Sequence, residues 1–157
     1  MEVGNIPDPT SGFAHTHSAV RRLRVEIVTK QITGKWRLKL GESFKDLIVW
    51  QRAVQLTVEI YKLTGSFPAS EQFGLTNQLR RASVSVASNI AEGYGRSTTG
   101  EYLQFLGHVR GSNCELQTQI VISKALGFGS VELLHQAESL SSEVSRMLVA
   151  IMNKLRE

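Results

Sequence analysis

The chain has 157 residues, enough for one domain with a short appendage, and its 41% hydrophobic content is sufficient for a core. No apolar run approaches the roughly 20 residues that span a bilayer, the polar N-terminus does not fit a signal peptide, and the single cysteine fits a reducing compartment, so we expect a cytoplasmic protein. The net charge is +4, but residues 44–157 contain 11 Lys and Arg against 10 Asp and Glu. Global charge is therefore a weak argument for nucleic acid binding by this part of the chain.

Residues 1–43 differ in pattern from the rest of the chain. Residues 1–19 are rich in Gly, Pro, Ser, Thr and His and show no periodicity, which is typical of disorder. Apolar and charged residues then alternate from Leu23 to Ile27 and from Trp36 to Leu40, on either side of a glycine turn, which predicts a β-hairpin with a cationic outer face. An isolated hairpin is marginal in water, so it would have to dock on the bundle or on a partner. We expect a basic N-terminal extension that is poorly ordered or hairpin-like.

From Ser43 the apolar periodicity becomes helical. Ser43 and Asp46 form a sequence like a capping box, and apolar residues follow at spacings of three and four. This pattern predicts a first helix that ends near Gly65. Its predicted inward stripe is Leu47, Trp50, Val54, Val58 and Tyr61.

A second helix is predicted to begin between Ser70 and Gly74 and to end at Gly93. Its predicted core residues are Leu75, Leu79, Ala82, Val86 and Ile90. Bulky side chains are scarce between Ala82 and Asn89. We therefore predict that this helix approaches a neighbour closely, with Ala87 at the contact.

Two further helices complete the predicted fold. Thr98 and Glu101 form a capping box for a third helix of about 27 residues that ends at Gly127, and Ser130 caps a fourth. The predicted core residues are Tyr102, Phe105, Leu106, Val109, Leu116, Ile120 and Leu126 in the third helix, and Leu133, Leu134, Leu140, Val144, Met147, Leu148 and Ile151 in the fourth. Four amphipathic helices joined by short loops predict an all-α, antiparallel, up-down-up-down four-helix bundle over residues 44–157.

The motifs that would indicate catalysis or cofactor binding are incomplete. The segment 95–100 has the glycine spacing of a P-loop, but Glu101–Tyr102 replaces the required Lys-Ser/Thr and no strand precedes it. The four histidines, at positions 15, 17, 108 and 135, have no partners at metal-ligand spacing. Cys114 has no histidine nearby in sequence and is expected to be a buried, inert thiol. We predict no enzymatic activity, no metal and no cofactor.

Polar residues on the second and third helices are predicted to meet at one end of the bundle. They are Asn89, Glu92, Arg110, Asn113 and Glu115. We interpret Asn89, Glu92, Arg110 and Glu115 as a structural polar layer in which Arg96 or Arg110 neutralises a carboxylate. The alternative is a ligand or metal site made from facing carboxylates, but the Glu-x-x-His pairs of di-metal bundles are missing.

Several separated motifs occur in order along residues 44–157. They include Phe44-x-Asp46-Leu47-x-Val49-Trp50-Gln51-x-Ala53, Phe67-Pro68-x-x-Glu71-x-Phe73-Gly74-Leu75, Gln78-Leu79-Arg80-Arg81-Ala82 and Asn89-Ile90-Ala91-Glu92-Gly93. Together they resemble the four-helix-bundle proteins encoded in intervening sequences of bacterial 23S ribosomal RNA genes. The fold is also similar to that of the accessory variability determinant proteins of diversity-generating retroelements. Those proteins assemble as homopentamers, bind nucleic acid through a basic surface and engage a reverse transcriptase.

The resemblance implies a cyclic homo-oligomer, expected to be a homopentamer, and a role in RNA binding. Our leading hypothesis is a non-enzymatic, ribosome-associated bundle that binds structured RNA. The residues assigned to nucleic acid binding are Arg80, Arg81 and Arg96, helped by Lys45, Arg52 and Lys62. The alternative is a protein-binding scaffold without catalytic activity, for example a reverse-transcriptase accessory protein. Residues 1–43 have no counterpart in the resemblance and are either a functional arm or translated flanking sequence.

Overall fold

The computed structural model describes residues 43–157, so the predicted N-terminal extension lies outside the described residues apart from Ser43. The helices are α1 (Ile48–Thr64), α2 (Leu75–Tyr94), α3 (Thr99–Ala125) and α4 (Val131–Lys154). Short 3₁₀ turns at Phe44–Asp46 and Ala69–Glu71 precede α1 and α2. The described residues contain no β-strand. The all-α, four-helix prediction is therefore confirmed.

The starts of α3 and α4 are fixed by side-chain caps, as predicted. The Glu101 N–H donates to Thr98 Oγ1 at 3.2 Å, and the Thr98 N–H donates back to Glu101 Oε2 at 3.2 Å. The Leu133 N–H donates to Ser130 Oγ at 3.2 Å. These bonds satisfy N–H groups that have no partner inside a helix. Ser43 and Asp46 also form a capping box, although it caps the first 3₁₀ turn and not α1 itself.

Neighbouring helices run in opposite directions, because their contacts occur in reversed order. Thr57 of α1 donates to the Ser83 carbonyl of α2. Thr64, which lies later on α1, accepts from Arg80, which lies earlier on α2. Between α3 and α4 the bonded pairs are Asn113–Ser145 and Lys124–Glu138. Both α1 and α3 pack against α2 and α4. The order of these contacts is the one that the up-down-up-down topology requires.

The buried face of α1 differs from the predicted stripe. Its buried apolar residues are Val49, Ala53, Leu56, Ile60 and Leu63. In the predicted stripe, Leu47 is buried and Trp50 and Val54 are half-buried, but Val58 and Tyr61 are 42% and 47% exposed. The buried set is purely aliphatic. Trp50 and Tyr61 carry an N–H and an O–H that would lack partners in an aliphatic core, which accounts for these two residues. Val58 is exposed because it lies on the same side of α1 as Tyr61, away from the face that packs against α2 and α4.

The helix α2 is built for close packing: Ala87 packs against the core, and a very close contact lies at Gly93. Ala87 is half-buried, whereas Gly93 is buried and lies inside the helix, one residue before its end. A Cβ on Gly93 would lie 2.7 Å from Phe105 Cβ and 3.0 Å from Tyr102 Cδ2 of α3. The absence of a side chain at Gly93 therefore sets the separation of α2 and α3. Another predicted core residue, Leu126, lies beyond the end of α3 and is exposed.

Candidate nucleic acid interface

The six basic residues predicted to contact phosphate lie on different sides of the bundle. Lys45 is exposed in the turn before α1 and forms no ion pair with a described residue. Arg52 Nε lies 3.1 Å from Glu143 Oε1 and links α1 to α4. Lys62 Nζ lies 2.9 Å from Glu59 Oε1 on the same helix. The two basic residues of α1 are thus partly neutralised, whereas Lys45 just before this helix is not.

Arg80 and Arg81 are adjacent but have different surroundings. Arg80 Nε donates to Thr64 Oγ1 at 2.9 Å, and its guanidinium lies 4.7 Å from the centre of the Tyr61 ring. Arg80 is half-buried, and these two contacts make it a clamp between α1 and α2. Arg81 is exposed and has no hydrogen bond or ion pair with a described residue. Because residues adjacent on a helix project about 100° apart, only Arg81 is free to contact a phosphate.

Arg96 lies in the short connection between α2 and α3 and rests on an aromatic ring. Its guanidinium is 4.4 Å from the centre of the Phe105 ring and forms an ion pair with Glu92. The imidazole of His108, one turn further along α3, meets the same ring edge to face at 6.0 Å between centroids. These contacts place a cation, a phenyl ring and an imidazole side by side on the surface where α2 joins α3.

The residues of the predicted polar layer do not bond to one another. Asn89 Nδ2 donates to the Ser85 carbonyl at 2.8 Å, within α2. Glu92 pairs with Arg96, which is one of the two neutralisations considered above. Glu115 accepts from its neighbour on α3, Gln119. Arg110 is exposed and has no ion pair with a described residue. Three of these residues form separate local contacts, Arg110 forms no ion pair, and the four do not build a shared site.

A buried polar cluster that the sequence interpretation missed links α3 to α4. Asn113 is fully buried, and its Nδ2 donates to the Ser141 carbonyl at 3.0 Å and to Ser145 Oγ at 2.8 Å. Ser141 Oγ donates back to Asn113 Oδ1 at 3.1 Å. The available signal was that Asn113 falls on the same helical stripe as Val109 and Leu116. A fully bonded amide of this kind fixes the register of two helices, which is a structural role.

Cys114 is exposed, which corrects the prediction of a buried thiol. It lies on α3 next to Asn113, about 100° around the helix from this inward-facing residue. Within residues 43–157, no group of three His, Cys, Asp or Glu side chains is placed to hold a metal ion. None of the helices in this part of the chain has the length and apolarity needed to cross a bilayer.

A shallow groove between α1 and α4 carries no recognisable catalytic arrangement. It is lined by Gln55, Glu59, His135, Gln136, Ser139 and Leu140. In this groove no hydrogen bond joins Ser139 to His135, so the hydroxyl has no activating base. Glu59 is already paired with Lys62. The groove therefore adds no catalytic candidate.

Tyr102 is the ionisable group that its surroundings perturb most among the described residues. Its hydroxyl is buried at the contact of α2 and α3 and has no hydrogen-bond partner among residues 43–157. Burial, followed by the nearby Tyr94, raises the pKa of Tyr102 from 10.0 to about 12. A phenol with so high a pKa stays protonated at neutral pH, so it cannot serve as a general base there.

Comparison with known proteins agrees with this bundle. Residues 45–150 match the family model described as 23S rRNA-intervening sequence protein. A crystal structure from Bacteroides thetaiotaomicron, described as a protein with unknown function from the S23 ribosomal protein family, has a similar fold, with a TM-score of 0.61 and 20% identity. The match covers 67% of this chain and 98% of that one. No curated protein matches the sequence. Because the family model spans most of the chain, the protein belongs to the 23S rRNA-intervening sequence protein family.

Proposed function

We propose that this protein is a non-enzymatic bundle that assembles into a closed homo-oligomeric ring, expected to be a pentamer, and binds structured RNA of ribosomal origin. The observation that carries this proposal is which charges remain free. Four carboxylates are held in ion pairs: Glu59, Glu92, Glu138 and Glu143. Three more are engaged at the starts of helices or turns: Asp46, Glu71 and Glu101.

The bundle is close to neutral in total, and capping does not cancel a charge: Asp46, Glu71 and Glu101 accept from neutral N–H groups, and Glu115, Glu132 and Glu157 make no ion pair with a described residue either. Six exposed basic residues make no ion pair with a described residue: Lys45, Arg81, Arg110, Arg146, Lys154 and Arg156. A phosphate backbone can therefore meet six exposed cations that no carboxylate of the described residues holds in an ion pair. These local contacts support RNA binding where the net charge does not.

Self-association is supported by apolar side chains that the protomer leaves exposed along α1 and α2. Val58 and Tyr61 lie on α1, Val84 on α2 is 42% exposed, and the half-buried Trp50 and Val54 continue the same strip. A second copy would remove this strip from water. Closed symmetry would then repeat the few free cations of each protomer around a ring, so that several weak contacts act together.

The first experiment measures RNA affinity as a function of salt, together with the mass of the assembly by light scattering. The double variant Arg81→Glu/Arg110→Glu is expected to bind RNA more weakly and with a flatter dependence on salt. It makes fewer phosphate contacts, so fewer counterions are released on binding. Glu132→Gln is the control of opposite sign, and it is expected to leave binding unchanged or slightly tighter. Circular dichroism confirms that each variant is folded.

Two results would reject parts of this proposal. A monomer mass at micromolar concentration would remove the ring. No RNA binding by the wild type at about 50 mM salt, where screening is weak, would remove the RNA role. The protein-binding scaffold, such as a reverse-transcriptase accessory protein, would then be the better account.

A further inference from the structure

We propose that Arg96, Phe105 and His108 form a stacking surface for an unpaired RNA base, an inference that rests on the RNA binding proposed above. The Arg96 guanidinium lies over Phe105, with its central carbon 4.4 Å from the ring centroid. The Phe105 ring is flanked by the His108 imidazole at 6.0 Å. Guanidinium planes and aromatic rings are the groups on which proteins stack unpaired bases.

The surroundings of Arg96 favour a base over a phosphate. The charge of Arg96 is offset by its ion pair with Glu92. The N-terminus of α3 just beyond it is already capped by Thr98 and by the Glu101 carboxylate. The carboxylates of Glu92 and Glu101 would repel a phosphate bound here, whereas they would not repel the uncharged face of a base. Of the arginines predicted to contact phosphate, Arg81 suits a phosphate and Arg96 suits a base.

The surface is open to a ligand. Only one side of the Arg96 guanidinium is covered by the ring, and the side chain remains 37% exposed. His108 is exposed, and a Cβ placed on Gly100 at the start of α3 would meet no atom of the described residues within 4 Å. The second arginine–aromatic pair, Arg80 on Tyr61, is different because the hydrogen bond to Thr64 commits Arg80 to joining α1 and α2.

The experiment compares two labelled RNA hairpins by fluorescence anisotropy. One has a loop of unpaired adenines, and the other has the same backbone with abasic sites in the loop. Wild-type protein is expected to bind the adenine loop about 5- to 150-fold more tightly, the range that base stacking on side chains gives. Arg96→Lys keeps the charge but removes the plane, and it is expected to lose most of this preference while retaining the salt dependence.

Arg81→Lys is the matched control, because Arg81 is an exposed arginine without an aromatic partner, and its preference for the adenine loop should equal that of the wild type. Glu92→Gln is a second test that removes the neighbouring charge but not the ring, and it is expected to keep the preference for the adenine loop over the abasic loop. Equal affinity of wild type for both hairpins, or equal preference in Arg96→Lys and Arg81→Lys, would overturn the stacking surface while leaving RNA binding intact. No binding of either hairpin by any variant would reject the proposed function and this inference with it.

Discussion

Replacing Gly93 with alanine tests how tightly α2 and α3 are packed. The new methyl group would lie 2.7 Å from Phe105 Cβ, closer than side-chain carbons approach in folded proteins. Phe105 Cβ is attached directly to the backbone of α3, so it cannot rotate away. The helices must separate or shift to admit the methyl group, and we expect Gly93→Ala to destabilise the bundle.

Two opposing effects decide the size of the change. Alanine in place of glycine inside a helix is favourable by about 1 kcal/mol. Overpacking at a close contact costs about 1–3 kcal/mol, and the 2.7 Å contact places this site in the upper part of that range. The net expected loss is about 1–2 kcal/mol, or roughly 3–8 °C in the melting temperature of a bundle of this size.

The measurement is denaturant unfolding followed by circular dichroism at a fixed protein concentration. The matched control is Gly107→Ala in α3, where the new Cβ would meet nothing within 4 Å. It should give the favourable term alone, a gain of about 1 kcal/mol. A Gly93→Ala protein as stable as Gly107→Ala would show that α2 and α3 are not in close contact at Gly93.

Three further predictions concern the buried polar groups and the N-terminal extension. Asn113→Leu should lower stability by about 1–3 kcal/mol in the same unfolding assay, because Ser141 and Ser145 lose their bonded partner in the core; an unchanged midpoint would contradict the buried cluster. Tyr102 has a pKa raised from 10.0 to about 12, so the unfolded chain loses this proton at a lower pH than the folded protein does. The free energy of unfolding should therefore be unaffected by this group below pH 10 and should fall as the pH rises towards 12. Tyr102→Phe should reduce that alkaline loss, and a wild-type curve identical to the variant's would refute the assignment. Removing residues 1–42 should leave a cooperative thermal transition, since the helical core is complete from Ser43 onwards; an insoluble product would show that the extension belongs to the core.

Local signals in the sequence were sufficient for the helices and their caps. Thr98 and Glu101 specify their own geometry within one turn, and Ser130 does the same for α4, so no knowledge of tertiary contacts was needed. The order of the four helices follows from short connections. Pattern reasoning therefore predicted the fold, because the deciding interactions are close together along the chain.

The inward face of α1 could not be assigned in the same way. Two apolar stripes run along this helix at the same spacing, one through Trp50 and Tyr61 and one through Leu56 and Ile60. The larger side chains favour the first stripe as the inward face. The positions of α2 and α4 decide which face is buried, and those positions depend on contacts between residues that are distant in the sequence. The purely aliphatic character of the second stripe was the usable hint.

The candidate interface was less predictable for a related reason. Whether a basic residue is free depends on which carboxylate lies across the helix or on the next helix. Arg52 is paired with Glu143, which is 91 positions away in the sequence. The residues next to Arg52 in the sequence give no sign of this pair. Arg81 and Arg96 looked equivalent as arginines, yet one has no described partner and the other rests on a ring and a carboxylate.

The exposed position of Cys114 gives the proposed assembly a built-in reporter. There is one cysteine per chain, and it lies on the rigid middle of α3, so a spin label attached there marks each subunit once without further mutation. In a ring of identical subunits the labels stand at the corners of a regular polygon. A dimer or trimer gives one label-to-label distance, whereas a tetramer or pentamer gives two, and the ratio of the two distances is fixed by the symmetry alone. Pulsed electron spin resonance on the native sequence can thus tell a four-membered ring from a five-membered one, and both from a dimer or trimer, without separating the subunits.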